Sequence, residues 1–159
     1  MLGKQRLGMY DRARCFGTVV ACVVLLAACS GDGAAGQGIS VNSQGLALDG
    51  YDAMSYYQSG PRVGNPDYRY DYEGATFLFA SAVNREKFAS SPETFMPQYG
   101  GYCALGMGYG ALVEGDPEAY TLEDGKLYLS ASAVVKHLWR WLGDVDESDS
   151  EWRSLAEDP

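Results

Sequence analysis

From residue 39 onward, the spacing of apolar and polar side chains changes from one segment to the next, and each change predicts an element. Tyr68 to Glu73 (YRYDYE) alternates aromatic and charged residues. After Gly74 the chain continues as Ala75 to Ala80 (ATFLFA), and together these predict a β-hairpin. The period of two puts Tyr68, Tyr70 and Tyr72 on one face. Ser81 is placed to cap a helix running to about Ser90, with Val83, Lys87 and Phe88 spaced for one buried stripe. Ser91-Pro92 opens a short helix to about Gln98. Asp116-Pro117 starts a turn, and Asp124-Gly125 closes a second hairpin between Tyr120–Glu123 and Lys126–Leu129. Ser132 caps an amphipathic helix through Val135, Leu138, Trp139 and Leu142, stopped by Gly143. A last helical piece carries Trp152 and Leu155. Nearer the start, Asp49 to Gly60 reads as one short helix holding Tyr51, Met54, Tyr56 and Tyr57, whereas the five glycines of Gly100 to Gly110 argue against regular helix. No internal repeat is read. The order of hairpins and short helices predicts an α+β fold with a C-terminal helical extension.

The first residues follow a different pattern. A basic start (Lys4, Arg6, Arg12, Arg14) precedes an apolar run from Val19 to Ala28. About ten residues are too few to span a bilayer, which takes about 20, but they suit the apolar region of a signal peptide. Met9 offers an alternative start with a shorter basic region, and Arg12-Ala13-Arg14 is no twin-arginine pair, which favours the general secretory route. The run ends Leu26-Ala27-Ala28-Cys29-Ser30, which resembles the lipobox of bacterial lipoproteins. That resemblance implies a signal peptide over 1–28 and acyl chains of the palmitate type on Cys29. Ser30 after the cysteine implies the outer membrane, facing the periplasm. Residues 29–38, Gly-rich and without periodicity, read as a flexible tether, and 39–156 as a single domain. Two or three acyl chains hold a protein stably at a membrane where one does not.

Charge narrows the partners. The 159 residues carry a net charge of −9. Without residues 1–28, 8 basic and 20 acidic side chains remain, or −12. A surface this acidic lacks the Lys and Arg that phosphate contacts need, so nucleic acid is excluded as a partner. Between Lys87 and Lys126 there is no Lys, Arg or His, but there are six acids (Glu93, Glu114, Asp116, Glu118, Glu123, Asp124). A small cationic or neutral ligand, or a protein with a basic patch, suits that stretch better than an anion. Gly106-Met107-Gly108-Tyr109-Gly110 lacks the spacing of a phosphate-binding loop.

Several segments carry a family likeness. They are Gly50-Tyr51-Asp52, the hairpin Tyr72 to Phe79, Ala80 to Phe88, Pro92 to Phe95 and, most specifically, Pro97 to Ala104 (PQYGGYCA). Over about Gly45 to Trp141 the chain resembles the YHS domain family, in particular exported members with a C-terminal extension, here Gly115 to Trp141. The resemblance implies a small domain of hairpins and helices and, from the compact cysteine-bearing modules, transition-metal handling. At the positions of those cysteines this chain has Ala80 and Asn84, and Asp52 to Tyr56 contains none.

Cys103 is the one thiol after Cys29, and His137 the one imidazole. The leading expectation is a binding or accessory module, not an enzyme, with its ligand surface around Tyr99, Tyr102, Cys103 and Tyr109. The tyrosines supply contact area with a polar tip. The alternative is copper-type metal handling through Cys103, with Met107, Met96 and His137 as the available soft or imidazole donors. The third is thiol redox or hydrolytic chemistry, Cys103 being the nucleophile and His137 its base. The bland assignment for Cys103 is a small buried apolar residue under Tyr99 and Tyr102.

Overall fold

A computed structural model describes residues 38–157. The signal peptide expected over 1–28, the acylated Cys29 and the tether up to residue 37 lie outside the described residues. The fold is α+β. Strands β1 (Asn65–Tyr72) and β2 (Ala75–Phe79) form one antiparallel hairpin, and β3 (Asp116–Glu123) and β4 (Lys126–Ser130) form another. Helices α1 (Ala82–Ser90) and α2 (Pro92–Phe95) follow the first hairpin. A single turn, α3 (Ala104–Met107), precedes the second, and α4 (Ala133–Leu142) and α5 (Val145–Glu157) end the chain.

Both hairpins form where expected, each closed by two left-handed residues, Glu73-Gly74 and Asp124-Gly125, whose twist matches that of the strands. Ser81 and Ser132 cap α1 and α4, their Oγ atoms accepting from the amides of Asn84 and Val135 at 3.2 and 3.3 Å. Four expectations are corrected. Asp49 to Gly60 is not one helix but 3₁₀ turns at Leu48–Gly50 and Ser55–Tyr57, because Leu48, Asp49 and Gly50 all have positive φ and cannot propagate a right-handed helix. Gly100–Gly110 does contain a helical turn, α3, with Cys103 at its N-cap. Asp116-Pro117 begins a strand rather than a turn. The buried stripe of α1 is Asn84 and Phe88, one residue round from the expected one, and Val83 is 59 % exposed.

The largest correction concerns repetition. Residues 46–95 and 97–146 are two copies of one backbone design, offset by 51 residues. Strand pairing matches position by position. Asn65 faces Phe79 and Asp116 faces Ser130, a bulge follows in each, and Tyr72 opposite Ala75 corresponds to Glu123 opposite Lys126. Leu48-Asp49-Gly50 and Tyr99-Gly100-Gly101 share three consecutive positive φ values. Asp52 N donates to Arg62 O at 2.8 Å, and Cys103 N donates to Val113 O at 2.7 Å. The isolated bridges Tyr51–Val63 and Leu46–Thr76 recur as Tyr102–Glu114 and Pro97–Leu127. The register escapes a reading of the sequence because eleven of the fifty aligned pairs are identical, among them Gly50/Gly101, Gly64/Gly115 and Ser81/Ser132. What repeats is backbone conformation, while the core side chains change chemistry.

Two apolar clusters fill the interior. Phe77, Phe79, Phe88, Met54, Tyr56, Leu127 and Leu129 belong to the first, and Tyr99, Cys103, Leu105, Met107, Tyr128 and Trp139 to the second. Strand β4 separates them, since the pleat sends Leu127 and Leu129 one way and Tyr128 the other. Inside the first repeat, the fully buried Asp52 carboxylate accepts from the amides of Met54 (2.8 Å) and Ala80 (2.9 Å) and from Asn84 Nδ2 (2.6 Å). It thereby ties the loop after Gly50 to the end of β2 and to α1.

Removing that acceptor strands three donors, two of them buried. Asp52→Ala therefore lowers folding stability by about 3 kcal/mol or more, read by denaturant titration, while Ser90→Ala on the exposed end of α1 stays within about 0.5 kcal/mol. A second expectation comes from the buried and half-buried tyrosines. Tyr56, Tyr57, Tyr99, Tyr102 and Tyr128 all ionise above the ordinary value of 10.0, first because burial disfavours the phenolate. A pKa raised on folding gives stability that is whole below pH 10 and lost as the pH climbs towards the folded values. Phenolate absorbance should thus lag behind that of free tyrosine and rise together with the loss of circular dichroism; full ionisation with the fold intact would contradict the packing.

Candidate functional site

Cys103 forms the centre of the second cluster. It is 2 % exposed and unpaired, and it bridges to Leu129 of β4 while capping α3. Met107 is fully buried in the same cluster, one turn on, its amide donating to the Cys103 carbonyl at 2.9 Å. His137 is exposed on α4, and Met96, after α2, packs against the first cluster instead. The structure therefore brings two sulfur atoms into one cluster and leaves the imidazole outside it. Among the described residues, no three His, Cys, Asp or Glu side chains converge on one ion position. Of the donors named with Cys103, Met107 shares its cluster, while Met96 and His137 lie outside it.

The expected tyrosine surface divides in the same way. Tyr99 is buried, with its hydroxyl donating to Asp149 Oδ1 at 2.9 Å and its ring against Trp152 and Tyr128. Burial, then the bond to Asp149, raises its pKa. Tyr102 is half-buried, raised by burial and by the charge of Glu114, and Tyr109 is 55 % exposed. Buried Ser148, which donates to Ala104 O at 3.2 Å, joins Asp149 in fixing α5 across α3. Tyr99, Cys103 and Met107 are thus packing elements, and Tyr102 and Tyr109 are the members of the group that reach solvent.

A larger concavity lies elsewhere, between β3 and α4. It is a groove open to solvent, about 620 Å³ in volume, and is lined by Thr121, Leu122, Lys136, Trp139, Arg140 and Val145 among others. A second cavity beside Gly101 and Gly115, about 20 Å³, has room for a single water. Comparison of the repeats explains the larger one. In the first repeat, Tyr70 and Tyr72 of β1 set their rings edge-on against Phe88 at 6.1 and 6.4 Å. The matching residues are Thr121 and Glu123, and the residue matching Phe88 is Trp139. Two rings are missing beside the groove, although Trp139 itself stays buried, covered in part by the turn at Gly143.

Its walls are fixed. Trp139 stacks at 6.0 Å on Tyr128, and a Cβ on Gly143 would lie 2.2 Å from Trp139 Cε3, so the chain hugs the indole as it turns into α5. Tyr120 packs edge-on against Tyr56 at 5.0 Å, and Lys136 Nζ lies 5.1 Å above the Tyr120 ring. The ion pairs found among the described residues are Arg69–Asp71 and Arg85–Glu86, so neither Lys136 nor Arg140 is neutralised by a carboxylate. The Thr121 hydroxyl is buried without a hydrogen-bond partner. None of these residues stands out in the sequence taken linearly; the signal that points to them is the 51-residue register, which exposes Thr121 and Glu123 as substitutes for aromatic rings. Comparisons of the chain with family models, with curated proteins and with solved structures each give no match.

Proposed function

We propose that the protein is an exported binding module, held to a bacterial membrane by acyl chains on Cys29 and offering the β3–α4 groove to a ligand, with no bond chemistry of its own. The observation that carries this reading is the pair of repeats. One backbone is built twice, with two tyrosine rings against α1 in the first copy and an open groove between β3 and α4 in the second. An opening framed by rigid aromatic packing suits recognition, because little has to be ordered when a ligand enters. The tether reading rests on Leu26-Ala27-Ala28-Cys29, and the −12 charge of residues 29–159 fits an anchor made of acyl chains, since anionic headgroups repel it. The resemblance to YHS domains supports the accessory role, and copper handling through Cys103 and Met107 is the less favoured reading, with two buried sulfurs for support.

A fragment panel followed by amide chemical shifts tests the groove. At least one aromatic fragment should move the resonances of Thr121, Leu122 and the Trp139 indole. Thr121→Tyr combined with Glu123→Tyr, which restores the filling of the first repeat, should remove the response and leave the melting temperature equal or higher. Binding undiminished in that variant would place the site elsewhere. Cys103 gives an independent check on the thiol and metal readings. Its reaction with a maleimide should be at least about a hundredfold slower in the folded protein than in denaturant, because it must await opening of the core. Equal rates would return it to the surface and reopen thiol chemistry.

A further inference from the structure

We propose that the exposed face of α4 docks on an anionic bilayer: Val134 and Trp141 enter the membrane interface while Arg140 and Lys136 meet lipid phosphates. The proposal rests on the acyl anchor at Cys29, which brings an otherwise repelled domain to the surface.

Exposure supplies the first argument. Trp141 is 88 % exposed and Val134 68 %, two turns apart on one side of α4, and Leu142 beside Trp141 is 45 % exposed. The core takes its indole from Trp139 of the same helix, so Trp141 adds nothing to it. The first repeat shows what the backbone itself requires here. Ser90 stands in the place of Trp141, Lys87 in that of Leu138, Glu86 in that of His137 and Ala89 in that of Arg140. One copy of the helix has a polar outer face, and the other has an apolar and basic one. An indole, apolar in its ring and polar at its N–H, suits the boundary between headgroups and acyl chains.

Charge supplies the second. No Asp or Glu occurs between Asp124 and Asp144, a stretch that holds Lys126, Lys136 and Arg140. By helical spacing, exposed His137 marks the middle of the outer face, with Val134 and Trp141 on one flank and Arg140 and Lys136 on the other. Basic side chains of this length reach phosphates while the apolar flank sinks between headgroups. The rest of the chain is acidic, so anionic lipid repels it and attracts α4, which fixes the orientation of the domain. A second copy meeting this face across a two-fold axis would set basic helix against basic helix, which disfavours a dimer there.

Reach supplies the third. Gly38 lies nine residues after Cys29, at most about 30 Å of extended chain. A domain tethered that closely meets the bilayer at high effective concentration, so a small face suffices.

The test uses the full chain purified with its acyl chains, acylation of Cys29 being read by mass. It is placed in vesicles of phosphatidylethanolamine and phosphatidylglycerol at about three to one. Trp141 emission is the difference between the wild type and Trp141→Ser, an exposed substitution to the residue of the first copy. Phospholipids brominated just below the headgroup should quench that difference by about half or more, and quench the emission left in Trp141→Ser far less. His137→Glu with Arg140→Glu, both on the exposed face, should lower the quenching at least about threefold, as should vesicles lacking the anionic lipid. Unquenched Trp141 in a chain acylated on Cys29 overturns the docking and leaves the anchor standing. A chain without acyl groups overturns both. Emission that follows the protein-to-lipid ratio and ignores brominated lipid assigns the face to another protein chain and refutes the membrane. Quenching unchanged by the two acids refutes the pairing with phosphates.

Discussion

In both repeats the chain entering the first strand passes so close to the second strand that no side chain fits between them. A Cβ on Gly64 would lie 2.5 Å from the backbone carbon of Leu78, and one on Gly115 would lie 2.5 Å from Cβ of Leu129 and 2.6 Å from the carbonyl oxygen of Gly101. Real Cβ atoms do not approach this closely, so each hairpin can dock on its left-handed loop only through a glycine. The bulges at Asn65/Arg69 and Asp116/Tyr120 follow just after these contacts and let the strand recover its pairing. Everything further along, the helix capped by Ser81 or Ser132 and the aromatic residue it buries, is positioned from that contact. The two glycines are identical because the backbone permits nothing else, whereas the side chains that the scaffold holds are free to differ.

They differ in pairs. At the buried position after the left-handed loop, the first repeat has Asp52 and the second Cys103. The residue that hydrogen-bonds Asp52 from the following helix is Asn84, and its counterpart is Val135. Replacing both members of a buried polar pair by apolar groups leaves no orphaned donor, while replacing one would. Cys103 thus has a packing explanation drawn from its own chain. It is the apolar answer to a position that the other copy fills with a carboxylate, and Met107, opposite Tyr56, completes the same exchange. This accounts for the buried thiol without assigning it a reaction.

The parts of the fold legible in the sequence are those encoded locally. Gly74, Asp124-Gly125, Ser81, Ser132 and Gly143 each satisfy a backbone requirement within a few residues, and the hairpins and helices they delimit form as read. The illegible parts are those where backbone conformation is imposed from a distance. Leu48, Asp49 and Tyr99 adopt positive φ although none is glycine, because the hairpin docks behind them, and that strain leaves no trace in periodicity. Likewise, Val83 and Asn84 exchange places on α1 because Asp52, thirty-two residues earlier, provides a buried partner for an amide. The candidate site suffered most. Tyr99 and Cys103 drew attention by residue type, but type does not distinguish a ligand from a core residue. Thr121 and Glu123 are unremarkable until set against Tyr70 and Tyr72.

Duplication also explains how a domain of this size holds an open groove without collapsing. In an isolated core, losing two rings invites neighbours to close the gap, and an uncollapsed cavity is destabilising. Here the floor is held from the far side. Trp139 is stacked on Tyr128, Tyr128 lies 6.0 Å from Tyr99, and Tyr99 is fixed by Asp149 of α5. That chain of contacts passes through the second cluster and never crosses the groove. The opposite wall is held by Tyr120 on Tyr56, which belongs to the first repeat and whose hydroxyl donates to Pro117 O at 2.9 Å. Each wall of the groove is therefore supported by contacts on its outer side, so widening or filling it leaves the supporting packing intact. One of these supports, Tyr99, is a residue that sequence reading marked as part of the site itself.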